Sequence, residues 1–204
     1  MTTLLAYHND PAIKTKYLNR MRKHREADEL LQSYGYWDDG RGCAVGCAVH
    51  SDANPHAKYE AKLGIPERIA HLEDAIFEGL PNDLAKQWPE RFLSAIQPGA
   101  NLSRVWHQFA AWMLSAEAGL ITITDVNRAA IEQVAALHRR AAGGEVVADV
   151  EWLGAARSAE SAQSAWAAAL SAQSAESAES SAWQKMADKL VELLQSAPVV
   201  AGRE

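Results

Sequence analysis

The sequence predicts an all-α protein: a bundle of short helices with a long Ala/Ser-rich C-terminal helix or helical hairpin. Two observations predict this class. Apolar residues recur at helical spacing in most segments, and proline, glycine and Asp/Asn residues separate these segments in positions typical of helix ends. A third observation argues against a sheet, because the only stretch with strand character, ITIT at 121–124, is too short to build one.

The first helix is predicted over 11–33, with Asp10 as N-cap and Pro11 at the first helical position. Gly35 ends it, and a loop rich in aromatic residues and glycine follows at 34–42. Basic residues bunch at 14–25. They are suited to contacts with phosphate or an acidic partner, and a solvated helix face explains them equally well.

Short helices joined by proline turns are predicted through the middle of the chain, at about 42–49, 55–64, 65–80 and 88–96. The third of these carries a buried stripe of Ile69, Leu72, Ile76 and Leu80. Its polar residues His71, Glu73, Asp74 and Glu78 are interpreted as a solvated face, and a divalent metal on them is the alternative.

Two longer helices are predicted next, from about 101 to 119 and from about 125 to 141. Val126, Ala130, Val134 and Leu137 are expected to point inward in the second. The glycine pair at 143–144 then divides the chain into a helical globular domain at 1–144 and an Ala/Ser-rich helical tail at 145–204, packed on the same domain.

The tail has small residues at every third or fourth position, which permit close helix packing. It packs on its own domain, or on a protein partner or a second copy of the chain. Its last part, MADKLVELL at 186–194, is predicted to be an amphipathic helix that docks on the core.

The only two cysteines lie in GRGCAVGCAVH at 40–50. If a helix starts at the glycines, Cys43, Cys47 and His50 share one face, at positions i, i+4 and i+7. Thiolates and an imidazole suit zinc, and His56 is available as a fourth ligand. The spacing is not one of the recurrent zinc spacings, so zinc is only possible and no other cofactor is expected.

Two other interpretations compete with a metal. Cys43 at a helix N-terminus beside Arg41 would have a lowered pKa and form a reactive thiolate, with Tyr36, Trp37 and Asp38 as the wall of the site. Alternatively, the cysteines are small buried hydrophobes and the glycines give close helix contact, a seat for the thin tail. The packing interpretation is favoured.

Composition restricts the class of function. The chain has 204 residues, 48% of them hydrophobic, and a net charge of −6. No apolar run approaches the ~20 residues that span a bilayer, and no leader precedes the first helix, so we expect no membrane partner and a cytoplasmic location. No set of aromatic residues accompanies the basic stretch, which disfavours nucleic acid. The strong local signatures of common enzyme classes do not occur.

The motifs GRGCAVGCAVHS, YEAKLGIPERIAHLEDAIFEGLP and WPERFLSAIQPGANLSRVW, together with the alanine-rich tail, resemble a group of uncharacterised bacterial and phage proteins. Some members carry the label of immunity protein. The resemblance implies a small accessory protein that binds a toxin or defence component. Together with the absence of enzyme signatures and the small-residue surface of the tail, it favours a non-enzymatic binding or inhibitory protein, of the immunity or anti-defence type, that acts through protein–protein contacts. The alternative is a metal- or thiol-dependent activity centred on Cys43, Cys47 and His50.

Overall fold

The computed structural model describes residues 4–156 and 176–200. All of the regular structure in these residues is helical, and β-pairing is limited to isolated bridges, which confirms the all-α class. The predicted form of the tail, one helix or a hairpin, depends on residues 157–175 and lies outside the described residues.

The helices follow one another through short turns. In chain order they are a 3-10 helix at Ala6–Asn9, then α1 Pro11–Glu26, α2 Ala44–Val49, α3 Pro55–Leu63, α4 Glu67–Gly79, α5 Asn82–Ala85, α6 Trp88–Ala95, α7 Val105–Met113, α8 Arg128–Ala142, α9, which includes residues 149–156, and α10 Glu176–Ser196.

The chain forms two compact units. Unit 1 consists of Met1–Ser103 and Ala187–Glu204, and unit 2 of Arg104–Met186. In unit 1, α2 packs against α1, α3 and α4, and α1 also packs against α6. In unit 2, α7 packs against α8. The predicted division at residue 144 stays a prediction, because much of the predicted tail lies outside the described residues.

Helix α1 begins where the sequence predicts and ends earlier. The Asp10 side chain accepts a hydrogen bond from the Ala12 amide at 2.8 Å, as expected of an N-cap. The predicted end at residue 33 is wrong: the helix stops at Glu26, and Asp28 adopts a left-handed conformation with φ of 57°. Leu30 is buried outside the helix, in a bridge to Gly42. Pairing with a residue from the next loop therefore replaces two helical turns.

Helix α2 is a short helix with all six residues buried. Its glycine lies against a loop: a Cβ built at Gly46, or at Gly42 just before the helix, would collide with the main-chain carbonyl of Tyr36. The prediction that these small residues permit a close approach is right. The segment that lies closest to Gly46 is the 34–42 loop, instead of the expected second helix.

The end of α10 docks on unit 1 as predicted for the MADKLVELL segment. Leu190 and Leu194 are fully buried there. Beyond the helix, the Asn101 amide donates to the carbonyl of Pro198 at 2.8 Å, and the Val200 amide donates to that of Gly99 at 3.1 Å. These bonds tie the described end of the chain to the turn after α6.

Helix α8 begins three residues later than predicted. Val126, expected to point inward, is 72% exposed, so that assignment is wrong. The reason is the buried Asn127, whose side chain accepts from the Thr124 amide and donates to the Thr122 carbonyl. This turn forms where the sequence predicts the first turn of the helix. Leu137 is buried as predicted.

Among the helices described here, none is both long and apolar enough to cross a membrane.

Replacing Gly46 by alanine should destabilise the protein by about 3 kcal/mol or more, because the new methyl group collides with main-chain atoms that have no rotamer to adopt. Chemical denaturation measures this change. Gly40→Ala is the control: a Cβ there meets no described atom within 4 Å, so only the positive φ of 89° opposes alanine and a loss of about 1 kcal/mol is expected. Equal effects at the two positions would contradict the packing described for α2.

Candidate functional site

The candidate site lies in unit 1, where the C-terminal end of α2 meets α1. Two cations satisfy the last carbonyls of α2: Arg20 donates to the Ala48 oxygen at 2.6 Å, and Lys62 donates to the Val49 oxygen at 2.9 Å. Positive charge at a helix C-terminus is also favoured by the helix dipole. The end of this short buried helix is thereby held in place.

His50 follows α2 in a left-handed conformation, with φ of 51° and ψ of 62°. A non-glycine residue there is strained, and such strain is often found at functional sites. The imidazole ring is stacked on Trp37, with ring centroids 4.4 Å apart and planes inclined by 16°. The backbone conformation and the stacking together fix the direction of the ring.

The ring of His50 meets a second imidazole from α1. The Nε2 atoms of His24 and His50 are 2.9 Å apart, within hydrogen-bond distance. On its other side, His24 Nδ1 lies 2.6 Å from a carboxylate oxygen of Glu29. His24 is buried, and its ring also makes an edge contact with Trp37. The result is a hydrogen-bonded chain of a carboxylate and two imidazoles.

The surroundings of His50 disfavour protonation of its imidazole ring. Its pKa is lowered to about 4, mainly because neighbouring groups remove water from the ring, with the positive charges of Arg20 and Lys62 adding to the effect. The ring is therefore neutral at pH 7, with one nitrogen that donates and one that accepts.

A cleft of about 360 Å³ opens beside the two imidazoles. It is lined by Lys16, Asn19, Arg20, Lys23, His24, Glu29 and His50. Three of these are cations on one face of α1, and only one is a carboxylate. Lys16 and Lys23 are exposed and form no ion pair with any described residue. The cleft is therefore positively charged and lined by groups able to donate hydrogen bonds.

The rest of the basic stretch serves the fold. Lys14 donates to the carbonyls of Ser94 and Ile96, and Arg22 and Arg25 bind Glu90. Lys16, Arg20 and Lys23 thus form the part of the stretch that faces the cleft.

The structure divides the four sequence-predicted metal ligands into two pairs: Cys43 and His56 lie beside Asp74, and Cys47 and His50 lie near Glu29. His50 bonds to His24, whereas His56 Nε2 bonds to Asp74 at 2.9 Å and stacks on His71, with centroids 3.8 Å apart. Cys43 is the N-cap of α2, with the Asp74 carboxylate nearby. Cys47 directs its sulfur to the Gly42 carbonyl at 3.4 Å.

Within the described part of the chain, no group of three or more His, Cys, Asp or Glu side chains has an arrangement that could hold a metal ion. Zinc on the predicted quartet stays a prediction.

Both cysteines are free and buried, as the packing interpretation predicts. The lowered pKa expected of Cys43 is wrong. Burial raises the pKa of its thiol and outweighs the position at a helix N-terminus, and Asp74 adds to the effect. Burial likewise raises the pKa of Cys47 to about 12, with Glu29 as the next cause. Neither cysteine therefore has the electrostatic surroundings of a nucleophile.

A second polar cluster is buried between α3 and α4. Glu73, predicted to be solvated, is 0% exposed, so that prediction is wrong. Its two carboxylate oxygens, the Tyr59 hydroxyl and one Asp74 oxygen are buried without a hydrogen bond to any described residue. Burial raises the pKa of Glu73 well above its usual value, and the charge of Asp74 raises it further. Both effects favour the neutral form of this acid.

The sequence predicts His50 as a site residue but does not predict His24 or Glu29, the other two members of the hydrogen-bonded chain. The available signal was the helical spacing of Lys16, Arg20, Lys23 and His24, which places all four on one side of α1. Glu29 gives no such signal, because it reaches His24 only after the helix has ended.

A scan against protein-family models found no matching family, and searches of curated proteins and of solved structures found no match.

Both thiols should react slowly in the native protein. At pH 8, burial and a raised pKa leave little accessible thiolate, so a disulfide reagent should modify the native chain at least about tenfold more slowly than the urea-unfolded chain. Absorbance of the released thiol measures both rates. A native cysteine that reacts as fast as the unfolded chain would restore the reactive-thiol hypothesis.

Glu73→Gln should change how stability depends on pH. A carboxyl whose pKa is raised by folding stabilises the fold below its unfolded pKa, and this contribution is lost as the pH rises. Relative to the variant, the wild-type free energy of unfolding should fall by up to about 1.4 kcal/mol per pH unit above the unfolded pKa. Denaturation at several pH values tests this, with exposed Glu117→Gln as control. Parallel pH profiles for wild type and Glu73→Gln would show that the buried acid is ionised.

Proposed function

We propose that the protein acts by binding, and that the positively charged cleft of unit 1 holds an oxyanion group of its ligand or partner. The single observation that carries the proposal is the cleft itself, in which Lys16, Arg20 and Lys23 stand on one face of α1 around two imidazoles. An anion would gain charge-assisted hydrogen bonds there, which are stronger than bonds between neutral groups.

The buried thiols support binding over thiol chemistry. With the pKa of each cysteine raised, an activity centred on Cys43 or Cys47 lacks its nucleophile. The two free cysteines also agree with a location in the cytoplasm, where thiols stay reduced, and we retain that location as part of the proposal.

The size of the cleft favours one anionic group over a polyanion. A volume of about 360 Å³ is near the lower end of the range for small-molecule sites. Nucleic acid binding instead needs an extended series of phosphate contacts, and the net charge of −6 opposes it. A protein partner would contribute an acidic side chain or a phosphorylated residue to the same cleft. An inhibitory role of the immunity type is one form of such binding.

Titration with sodium sulfate, followed by amide NMR shifts in a chelator-containing buffer, tests the proposal. We expect shifts confined to the end of α1 and to residues near His50. Lys16→Ala and Lys23→Ala should each weaken binding by about tenfold. Lys185→Ala removes the same charge from unit 2 and is the control, with no change expected. Equal effects of all three variants, or shifts outside unit 1 only, would contradict the proposal.

A further inference from the structure

The two imidazoles of the cleft have an arrangement more specific than an anion site requires. Their Nε2 atoms face each other at 2.9 Å, and each ring is held in place by a different neighbour. Glu29 holds His24 by a hydrogen bond to Nδ1, and Trp37 holds His50 by stacking. Two independent restraints thus direct two nitrogen ligands at one point beside the cleft.

A carboxylate on the far nitrogen of an imidazole is the usual second partner of a metal-binding histidine, because it fixes the tautomer and makes the ligand more basic. Glu29 has this position relative to His24. When Glu29 accepts the Nδ1 proton, Nε2 of His24 carries the free lone pair. The proton between the rings then belongs to His50 Nε2.

The distances fit a metal ion after a small movement. Tetrahedral zinc with bonds of ~2.0–2.1 Å to each nitrogen needs the two nitrogens about 3.3 Å apart. The rings would separate by a few tenths of an ångström from their present 2.9 Å and would also tilt, because the two nitrogens now face each other as hydrogen-bond partners. His50 would shift its proton from Nε2 to Nδ1, so that both rings stay neutral and no proton is released.

We propose that His24 and His50 bind a divalent transition-metal ion of the zinc class through their Nε2 atoms, and that an oxyanion in the cleft completes its coordination. This inference rests on the proposed function, since the oxyanion is the ligand assigned to the cleft above. Imidazole nitrogen suits zinc, cobalt, nickel and copper, whereas magnesium and calcium prefer oxygen ligands.

The charge of the cleft explains why an anion belongs to the site. Lys16, Arg20 and Lys23 repel a bare divalent cation. An oxyanion bound between these cations and the metal is attracted by both, so each should strengthen the binding of the other. By linkage, the two enhancements are equal.

The fixed direction of the His50 ring supports the site, because stacking on Trp37 keeps its Nε2 facing that of His24. The site also differs from the sequence-predicted quartet in a testable way. Both sets contain His50, but only the new one contains His24 and only the predicted one contains Cys47.

The test is a Co²⁺ titration followed by visible absorption and repeated with Zn²⁺ by calorimetry, with and without sulfate. We expect one metal ion per chain, bound more tightly with sulfate. His24→Gln and His50→Asn should lose more than about 100-fold in affinity, and Glu29→Gln, which removes a positioning group, about 10–100-fold. Asparagine is chosen at position 50 because it tolerates the left-handed conformation.

Two variants are controls. His71→Ala removes a largely exposed imidazole from α4, and Cys47→Ser removes a ligand of the predicted quartet. Both should bind Co²⁺ like the wild type. Circular dichroism and thermal unfolding check that each variant is folded. If His24→Gln does not fold, the loss of metal affinity expected in Glu29→Gln still tests the proposal.

The outcomes separate the metal site from the anion site. Loss of metal in Cys47→Ser with wild-type affinity in His24→Gln would overturn the proposal in favour of the quartet. Sulfate binding in chelator without any metal binding would overturn the metal site and leave the proposed function intact. Metal affinity that is unchanged by sulfate would overturn the role of the anion as co-ligand. If the protein binds neither sulfate nor the metal ion, both proposals are overturned.

Discussion

The close approach of the Tyr36 carbonyl to Gly42 and Gly46 is the contact on which the rest of unit 1 depends. It brings the 34–42 loop across α2, so that a helix of six residues can be buried on all sides. The same loop carries Trp37, and the stacking of Trp37 on the ring of His50 follows from that placement. Packing and site are therefore consequences of one contact between main-chain atoms and glycine.

The last carbonyl groups of a short buried helix need hydrogen-bond donors. The side chains that supply these donors at the end of α2 also help to form the cleft. Arg20 and Lys62 reach the last carbonyls of α2 from two different helices. Arg20 thereby enters the region where Lys16 and Lys23 already stand on the same face of α1. A requirement of folding thus concentrates positive charge beside the imidazoles.

Much of the fold follows from local sequence, and the site does not. Asp10 and Pro11 start α1 through interactions within one turn, so the sequence predicts this helix end. The end at Glu26 is decided by pairing of Leu30 with Gly42, which no local pattern reports. Likewise, His50 lies in a recognisable motif, but its partner His24 is 26 residues away in sequence. The two residues meet only because α1 packs against α2. Sequence reasoning therefore predicted elements well and tertiary contacts poorly.

The central claim is that His24 and His50 converge beside the cleft, and the most direct test is a nuclear Overhauser measurement on metal-free protein at pH 7. The structure predicts contacts between the ring protons of the two histidines, and between the His50 ring and the Trp37 indole. Assignment with His24→Gln and His50→Asn samples identifies the signals. Ring protons of His50 that show no contact with either His24 or Trp37 would contradict the account of the site.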